Sequence, residues 1–140
     1  MAHVFISYSH EDFEFAENLQ LRLQKEGFDT WMDEERLTAG EDWREEIDVA
    51  IKDSFAFLLI LTPKALESRY VTYEWSFAWG AGKTVIPLLL SPVEDDKLHP
   101  RLDRRQYLDF TTRKVRHWDE LYRQLKQIRE RELPGLKESS

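Results

Sequence analysis

Cysteine is absent from this chain of 140 residues. Neither a disulfide nor a thiolate metal site can therefore form, and a reducing compartment, the cytoplasm, is the expected location. The four histidines are scattered without the spacing of metal ligands, so we expect no metal. The first apolar run is too short for a signal peptide or a membrane span, so we also expect no membrane partner.

Basic charge is in deficit, because 27 acidic residues outnumber 20 basic ones and leave a net charge of −7. This balance argues against general affinity for nucleic acid. The charge is also uneven: residues 97–131 hold 11 Lys and Arg against 5 Asp and Glu, while the rest of the chain is strongly acidic. Two surfaces of opposite charge favour head-to-tail self-association, although solvated helix faces explain the same pattern.

Glycine is sparse as well, with five residues, and no GxGxxG fingerprint of a dinucleotide site occurs. Gly82, Lys83 and Thr84 resemble the end of a phosphate-binding loop, but Phe77 stands where the first glycine of such a loop is required. The fragment also lies between a predicted helix and a predicted strand, which is the reverse of the order in a phosphate-binding loop. We therefore expect no bound cofactor.

Short apolar runs predict five strands, at residues 3–7, 28–32, 54–61, 84–90 and 106–110. Helices are predicted between them, from Ser9 to Gly27, over 43–51, from 62 to about 81 and over 118–128. Because strands alternate with helices, the predicted fold is α/β, a flavodoxin-like open parallel sheet with helices on both faces. Pro87 suggests an irregular or edge position for the fourth strand. The chain is predicted to form one domain over 1–133, with a flexible tail over 134–140.

The third predicted helix carries a carboxylate on its inner face. That face is defined by spacings of three and four residues, at Tyr70, Tyr73, Glu74, Phe77, Ala78 and Ala81. Burial of an ionised carboxylate is costly unless it is paired. A carboxylate among aromatic rings near the carboxyl ends of a sheet is typical of a functional site. From spacing alone, a position at the edge of the stripe with a Lys or Arg partner explains Glu74 at least as well.

Three sequence blocks together resemble the TIR (Toll/interleukin-1 receptor) domain family. They are VFISYSHED at residues 4–12, FDTWMDEERLTAG at 28–40, and the segment 68–74 followed by VIPL at 85–88. Their order and spacing match that family over residues 2–125, nearly the whole chain. In the family, the second block contains strand B and the BB loop.

The resemblance implies two kinds of function, since some TIR domains only assemble as adaptors and others cleave NAD+ between nicotinamide and ribose. In the enzymes a helix C glutamate is catalytic, and Glu74 occupies that position. Nicotinamide leaves as a neutral base, so a single carboxylate that stabilises the oxocarbenium-like transition state suffices. The implied products are nicotinamide with ADP-ribose or a cyclic isomer, in immune or antiviral defence signalling. The alternatives are an adaptor module and a TIR domain excised from a larger receptor or effector.

The resemblance also implies a set of substrate-binding residues: Tyr8, Ser9, His10, Asp33, Arg36, Trp43 and Tyr70. Many bacterial members have a tryptophan at the last of these positions, so Tyr70 departs from the pattern but keeps an aromatic wall. Ser9 is explained equally well as a helix cap, and Trp43 as core packing. Arg36 alternatively serves assembly, since the BB loop at 33–40 is the predicted surface for self-association with other TIR domains.

Overall fold

The computed structural model describes residues 2–32, 43–100, 102, 107–113 and 116–133, with only the backbone described at Trp43 and Asp95. The strands are β1 His3–Ser7, β2 Thr30–Met32, β3 Ser54–Leu61, β4 Val85–Leu89 and β5 Leu108–Asp109. The α-helices are α1 Phe13–Lys25, α2 Trp43–Lys52, α3 Pro63–Glu67, α4 Arg69–Gly80 and α5 Trp118–Glu132. Short 3-10 turns occur at His10–Asp12 and Asp95–Lys97. The predicted tail at 134–140 and the predicted loop at 33–40 lie outside the described residues.

The five strands form one parallel sheet in the order β2-β1-β3-β4-β5. This confirms the predicted flavodoxin-like fold. The apolar run SFAFLLIL forms the central strand β3, and all eight of its residues are buried, as expected for a strand covered on both faces. None of the helices in the described ranges combines the length and apolar composition that a membrane span requires.

The prediction for Pro87 was wrong, because β4 lies inside the sheet and pairs with β3 in unbroken register through Leu59↔Pro87. The amide of Leu90 bonds to Leu61 of β3. Amides in a strand point alternately to its two neighbours, so the nitrogen of Pro87 faces β5. The described pairing with β5 starts at Leu88. The proline thus lies just before that pairing begins, where its missing N–H removes no bond from the β3 ladder.

The predicted third helix is in fact two helices, α3 and α4, with a break at Ser68. The backbone of Ser68 is extended, at φ −81° and ψ 124°, and its side chain accepts a hydrogen bond from the amide of Val71 at 3.2 Å. A serine side chain that caps the next helix in this way competes with a continuous helical hydrogen-bond pattern. The break gives α4 its own starting direction, independent of α3.

The two faces of the sheet bury separate apolar clusters. Val4, Ile6 and Tyr8 pack with α1 and α5, whereas Phe5 packs with residues of α2 and α4. Strand side chains alternate between faces, which assigns Ser7 to the side of Phe5. A buried serine at the carboxyl end of β1 therefore faces α4.

Candidate functional site

The described part of α4 buries four residues: Val71, Glu74, Trp75 and Ala78. Burial of Glu74 is confirmed, since the residue is 2% exposed. Ala78 of the predicted inner stripe is buried as well, but the rest of that stripe was displaced by about one residue. The three aromatic residues predicted within it are half-buried and Ala81 is exposed. Spacing alone specifies the period of the stripe but not its phase, and the packing of α4 on β3 and β4 sets that phase.

Glu74 is held by a serine on a distant segment. The hydroxyl of Ser7 donates a hydrogen bond of 2.6 Å to Oε1 of Glu74. Ser7 is completely buried, and Oε2 of Glu74 is buried as well. The carboxylate therefore lies at the carboxyl edge of the sheet, between β1 and α4, where ligands of open α/β sheets bind.

Ser7 was not among the predicted site residues. A signal was present, because a serine ends an otherwise apolar strand at a position that faces a helix. Only the packing of α4 shows that the partner of this serine is the buried glutamate.

The orientation of α4 is supported by a contact with α2. The Tyr73 hydroxyl donates a 2.6 Å hydrogen bond to Oδ1 of Asp48, and the guanidinium carbon of Arg44 lies 5.9 Å from the Tyr73 ring centroid. Because Tyr73 directly precedes Glu74, this contact and the Ser68 cap together restrain the helix turn that carries the carboxylate.

Tyr8, Ser9 and His10, the predicted site residues that follow β1, do not share one environment. Tyr8 is 7% exposed and packs with α1, its ring centroid 6.2 Å from that of Phe13, on the face of the sheet opposite to Glu74. Ser9 is buried and caps the following 3-10 turn, and His10 is exposed. The helix-cap explanation of Ser9 is confirmed, while the substrate contacts of all three remain predictions.

The remaining predicted site residues are only partly described. Tyr70 is half-buried and lies one helical turn before Glu74. Trp43 begins α2, but its side chain is not among the described ones. Asp33 and Arg36 lie outside the described residues. Trp31 stacks on Phe5 with ring centroids 4.9 Å apart, so it contributes to packing.

A second polar contact crosses the carboxyl edge of the sheet. The Thr62 hydroxyl donates a 2.7 Å hydrogen bond to Oδ2 of Asp12, which links the turn before α1 to the start of α3. Partial burial raises the pKa of the Asp12 carboxyl above its ordinary value of 3.8, and the charge of Glu11 adds to this rise. The hydrogen bond from Thr62 opposes the rise without cancelling it.

The fold and site can be compared with known proteins. A family model described as TIR domain matches residues 4–126. The TIR domain of the Toll-related receptor TRR-2 from Hydra magnipapillata has a TM-score of 0.77 and 26% identity, over 90% of this chain and 99% of that one. Human Toll-like receptor 1 is 30% identical over an alignment of 125 residues that covers 80% of this chain and 16% of the receptor.

A relative with an enzyme name also matches. The 2′ cyclic ADP-D-ribose synthase BtTIR from Bacteroides thetaiotaomicron is 30% identical over 71 residues, which are 50% of this chain and 25% of that protein. The chain thus spans a quarter or less of the length of these curated relatives.

Proposed function

This chain belongs to the TIR domain family, and on that basis we propose that it cleaves NAD+ between nicotinamide and ribose, with Glu74 as the catalytic residue. The products are nicotinamide with ADP-ribose or a cyclic isomer, and the reaction serves immune or defence signalling. The single observation that carries the proposal is a buried carboxylate held by Ser7 at the carboxyl edge of the sheet. One relative is named for the synthesis of a cyclic ADP-ribose, which supports this class of product.

The chemistry requires one oriented carboxylate. As the bond to nicotinamide breaks, positive charge develops on the ribose ring, while the leaving group departs as a neutral base. Water then bonds to the ribose carbon, releases a proton and gives ADP-ribose, or the adenine or a ribose hydroxyl of the same molecule does so and gives a cyclic isomer. An anion already in place stabilises that charge without reorganisation, and more strongly in a site shielded from water. The hydrogen bond from Ser7 orients the carboxylate of Glu74, and in the proposed reaction Oε2 faces the ribose ring or its hydroxyls.

Access to the carboxylate needs a conformational step. Glu74 is 2% exposed, so NAD+ reaches it only if a neighbouring segment moves. Self-association through the BB loop at 33–40 would supply that step and make turnover depend on protein concentration. Specific activity measured over a hundredfold range of protein concentration checks this, and a constant value would contradict it.

The central test is nicotinamide release from NAD+ by the full chain and by two variants. Glu74→Gln removes the charge from the proposed site, and we expect release to fall by at least about 100-fold, the loss typical for one electrostatic group. Glu67→Gln removes the same charge from an exposed position on α3 and should leave release unchanged. Turnover by Glu74→Gln at the rate of the Glu67→Gln control would refute the catalytic role.

A second candidate is a non-catalytic module that assembles with other TIR domains. The similarity to Toll-like receptors favours it, because those proteins are named as receptors and not as enzymes. Toll-like receptor 6 of Bos taurus also matches 82% of this chain. Sedimentation velocity with and without NAD+ separates the two candidates when combined with the release assay. Assembly without release at any concentration supports the adaptor, and release that is lost in Glu74→Gln supports the enzyme.

A further inference from the structure

A cavity of about 630 Å³ lies between α1 and the start of α5, at the carboxyl edge of the sheet. Its lining includes Asp12, Phe15, Arg22, Arg113, Arg116 and Trp118. Phe15 and Trp118 pack against the apolar cluster of α1 and α5, so the cavity lies on the face of the sheet opposite to Glu74. It is therefore separate from the proposed NAD+ site.

The arginines of this cavity converge over two aromatic rings. The rings of Phe15 and Trp118 stack with centroids 6.0 Å apart. The guanidinium carbon of Arg22 lies 4.3 Å from the centroid of Trp118, and that of Arg116 lies 5.2 Å from the centroid of Phe15. Two guanidinium groups therefore lie over the stacked rings on the same side of the cavity. The exposed Arg113 also lines the cavity and adds a third positive charge.

Arg116 has an incompletely satisfied guanidinium. The residue is half-buried, and its Nε atom is fully buried without a hydrogen-bond partner among the described residues. The pKa of this guanidinium is lowered, first by burial and then by the charges of Arg113 and Arg22. Like charges held together in a partly desolvated place are unfavourable, and an anion between them relieves the repulsion.

Two acidic residues of the same cavity have partners of their own. Glu11 forms an ion pair with Lys64 at 3.8 Å, and the Asp12 carboxylate accepts the hydrogen bond from Thr62. Arg22 is two helical turns further along α1 than Glu14, about 12 Å by the rise of an α-helix. The charges that act on Arg116 are those of Arg113 and Arg22, so the three arginines form a basic group within the cavity, beside α5.

We propose that the basic group of this cavity binds a phosphate-class anion, an inorganic phosphate or the phosphoryl group of a small metabolite, through Arg22, Arg113 and Arg116. Guanidinium groups present paired N–H donors that match the oxygens of a phosphate. The aromatic floor excludes water from one side of the ion, which strengthens each contact. The cavity volume leaves room for the remainder of a phosphorylated metabolite beyond the phosphoryl group.

The test is isothermal titration of the full chain with sodium phosphate and sodium pyrophosphate, with sodium chloride at matched ionic strength as reference. We expect saturable binding of the two phosphate ions alone. Arg22→Gln and Arg116→Gln should each weaken it by at least about tenfold, as expected when a charge-assisted hydrogen bond is removed. Lys126→Gln removes one exposed positive charge from α5 and should bind as the unaltered chain does. Glu74→Gln should also retain binding, which keeps this result independent of the NAD+ proposal.

Two further measurements keep the outcome decisive. Far-UV circular dichroism checks the fold of each variant, and Arg116→Lys replaces Arg116→Gln if the latter does not fold. Lysine keeps the charge but loses the paired donors, so we expect an affinity between those of the original chain and Arg22→Gln. Equal effects of chloride and phosphate, or equal losses in Lys126→Gln and the arginine variants, would overturn the proposal.

Discussion

Ser7 and Glu74 are 67 residues apart in the chain, yet the hydroxyl of the first donates a 2.6 Å hydrogen bond to Oε1 of the second within the buried interior. The contact joins the end of β1 to the middle of α4. It therefore connects the geometry of the sheet edge to the orientation of the proposed catalytic carboxylate.

Replacement of Ser7 by alanine should reduce activity more than its effect on stability explains. The carboxylate loses the donor that orients it, so we expect nicotinamide release to fall about tenfold, along with a loss of about 1–3 kcal/mol in the free energy of unfolding. Ser54→Ala is a matched control, because Ser54 is also buried and donates a 2.6 Å hydrogen bond, to the Ile51 carbonyl at the other end of the sheet. Urea denaturation and the release assay are measured for both. If Ser7→Ala and Ser54→Ala lose the same activity, Ser7 contributes only to the stability of the fold and does not orient the carboxylate.

Glu74→Gln should leave the free energy of unfolding equal to that of the original chain or raise it by up to about 2 kcal/mol. A buried charge that serves function costs stability, and its removal commonly restores some of it. Glu67→Gln, at an exposed position, should change the free energy by less than about 0.5 kcal/mol. A large destabilisation by Glu74→Gln in urea denaturation would instead indicate a structural ion pair.

Tyr73→Phe should lower the free energy of unfolding by about 1–2 kcal/mol, because it removes the hydrogen bond between α4 and α2 and leaves the half-buried Asp48 carboxylate without that donor. Tyr122→Phe is the control, since the Tyr122 hydroxyl makes no hydrogen bond to the described residues while its ring is also half-buried. Thermal and urea unfolding of the two variants give the comparison. Equal stabilities would show that the contact between the helices contributes nothing net.

Asp12→Asn should stabilise the protein at neutral pH and have no effect at about pH 3. The pKa of Asp12 is raised in the folded state, so the folded protein retains this proton to higher pH than the unfolded chain does. Stability is therefore lost as pH rises from the ordinary value of 3.8 through the raised folded value, and asparagine abolishes that loss while it still accepts from Thr62.

Asp109 is a control, because its pKa is shifted in the opposite direction to that of Asp12. Hydrogen bonds from the side chain and backbone of Thr111 lower the pKa of its carboxyl, so its contribution to stability is present above the ordinary value of 3.8 and is lost as pH falls through the lowered folded value. Asp109→Asn should thus slightly destabilise the protein at neutral pH. Melting temperatures of both variants from pH 3 to 7 check the signs, and parallel curves would contradict the assignment for Asp12.

Several features of the site depended on information that local sequence patterns lack. The period of apolar residues in α4 was visible, but its phase was not, so Val71 and Trp75 were missed from the buried face. Pro87 indicated an edge strand by the usual rule, whereas strand order depends on how distant segments pair. In the sequence, Arg22 and Arg116 cannot be distinguished from ordinary surface arginines. Only the folded chain brings their positive charges close together.

The sequence by itself determined the alternation of strands and helices and the parallel sheet, and it placed Glu74 on an apolar helix stripe without deciding whether the residue is buried. Those features follow from local periodicity, and burial of apolar side chains enforces them along each element. The tertiary structure decided the Ser7–Glu74 contact, the break of the third predicted helix at Ser68 and the convergence of arginines between α1 and α5. These depend on the distances between segments far apart in the chain, which are set only when the two faces of the sheet are packed.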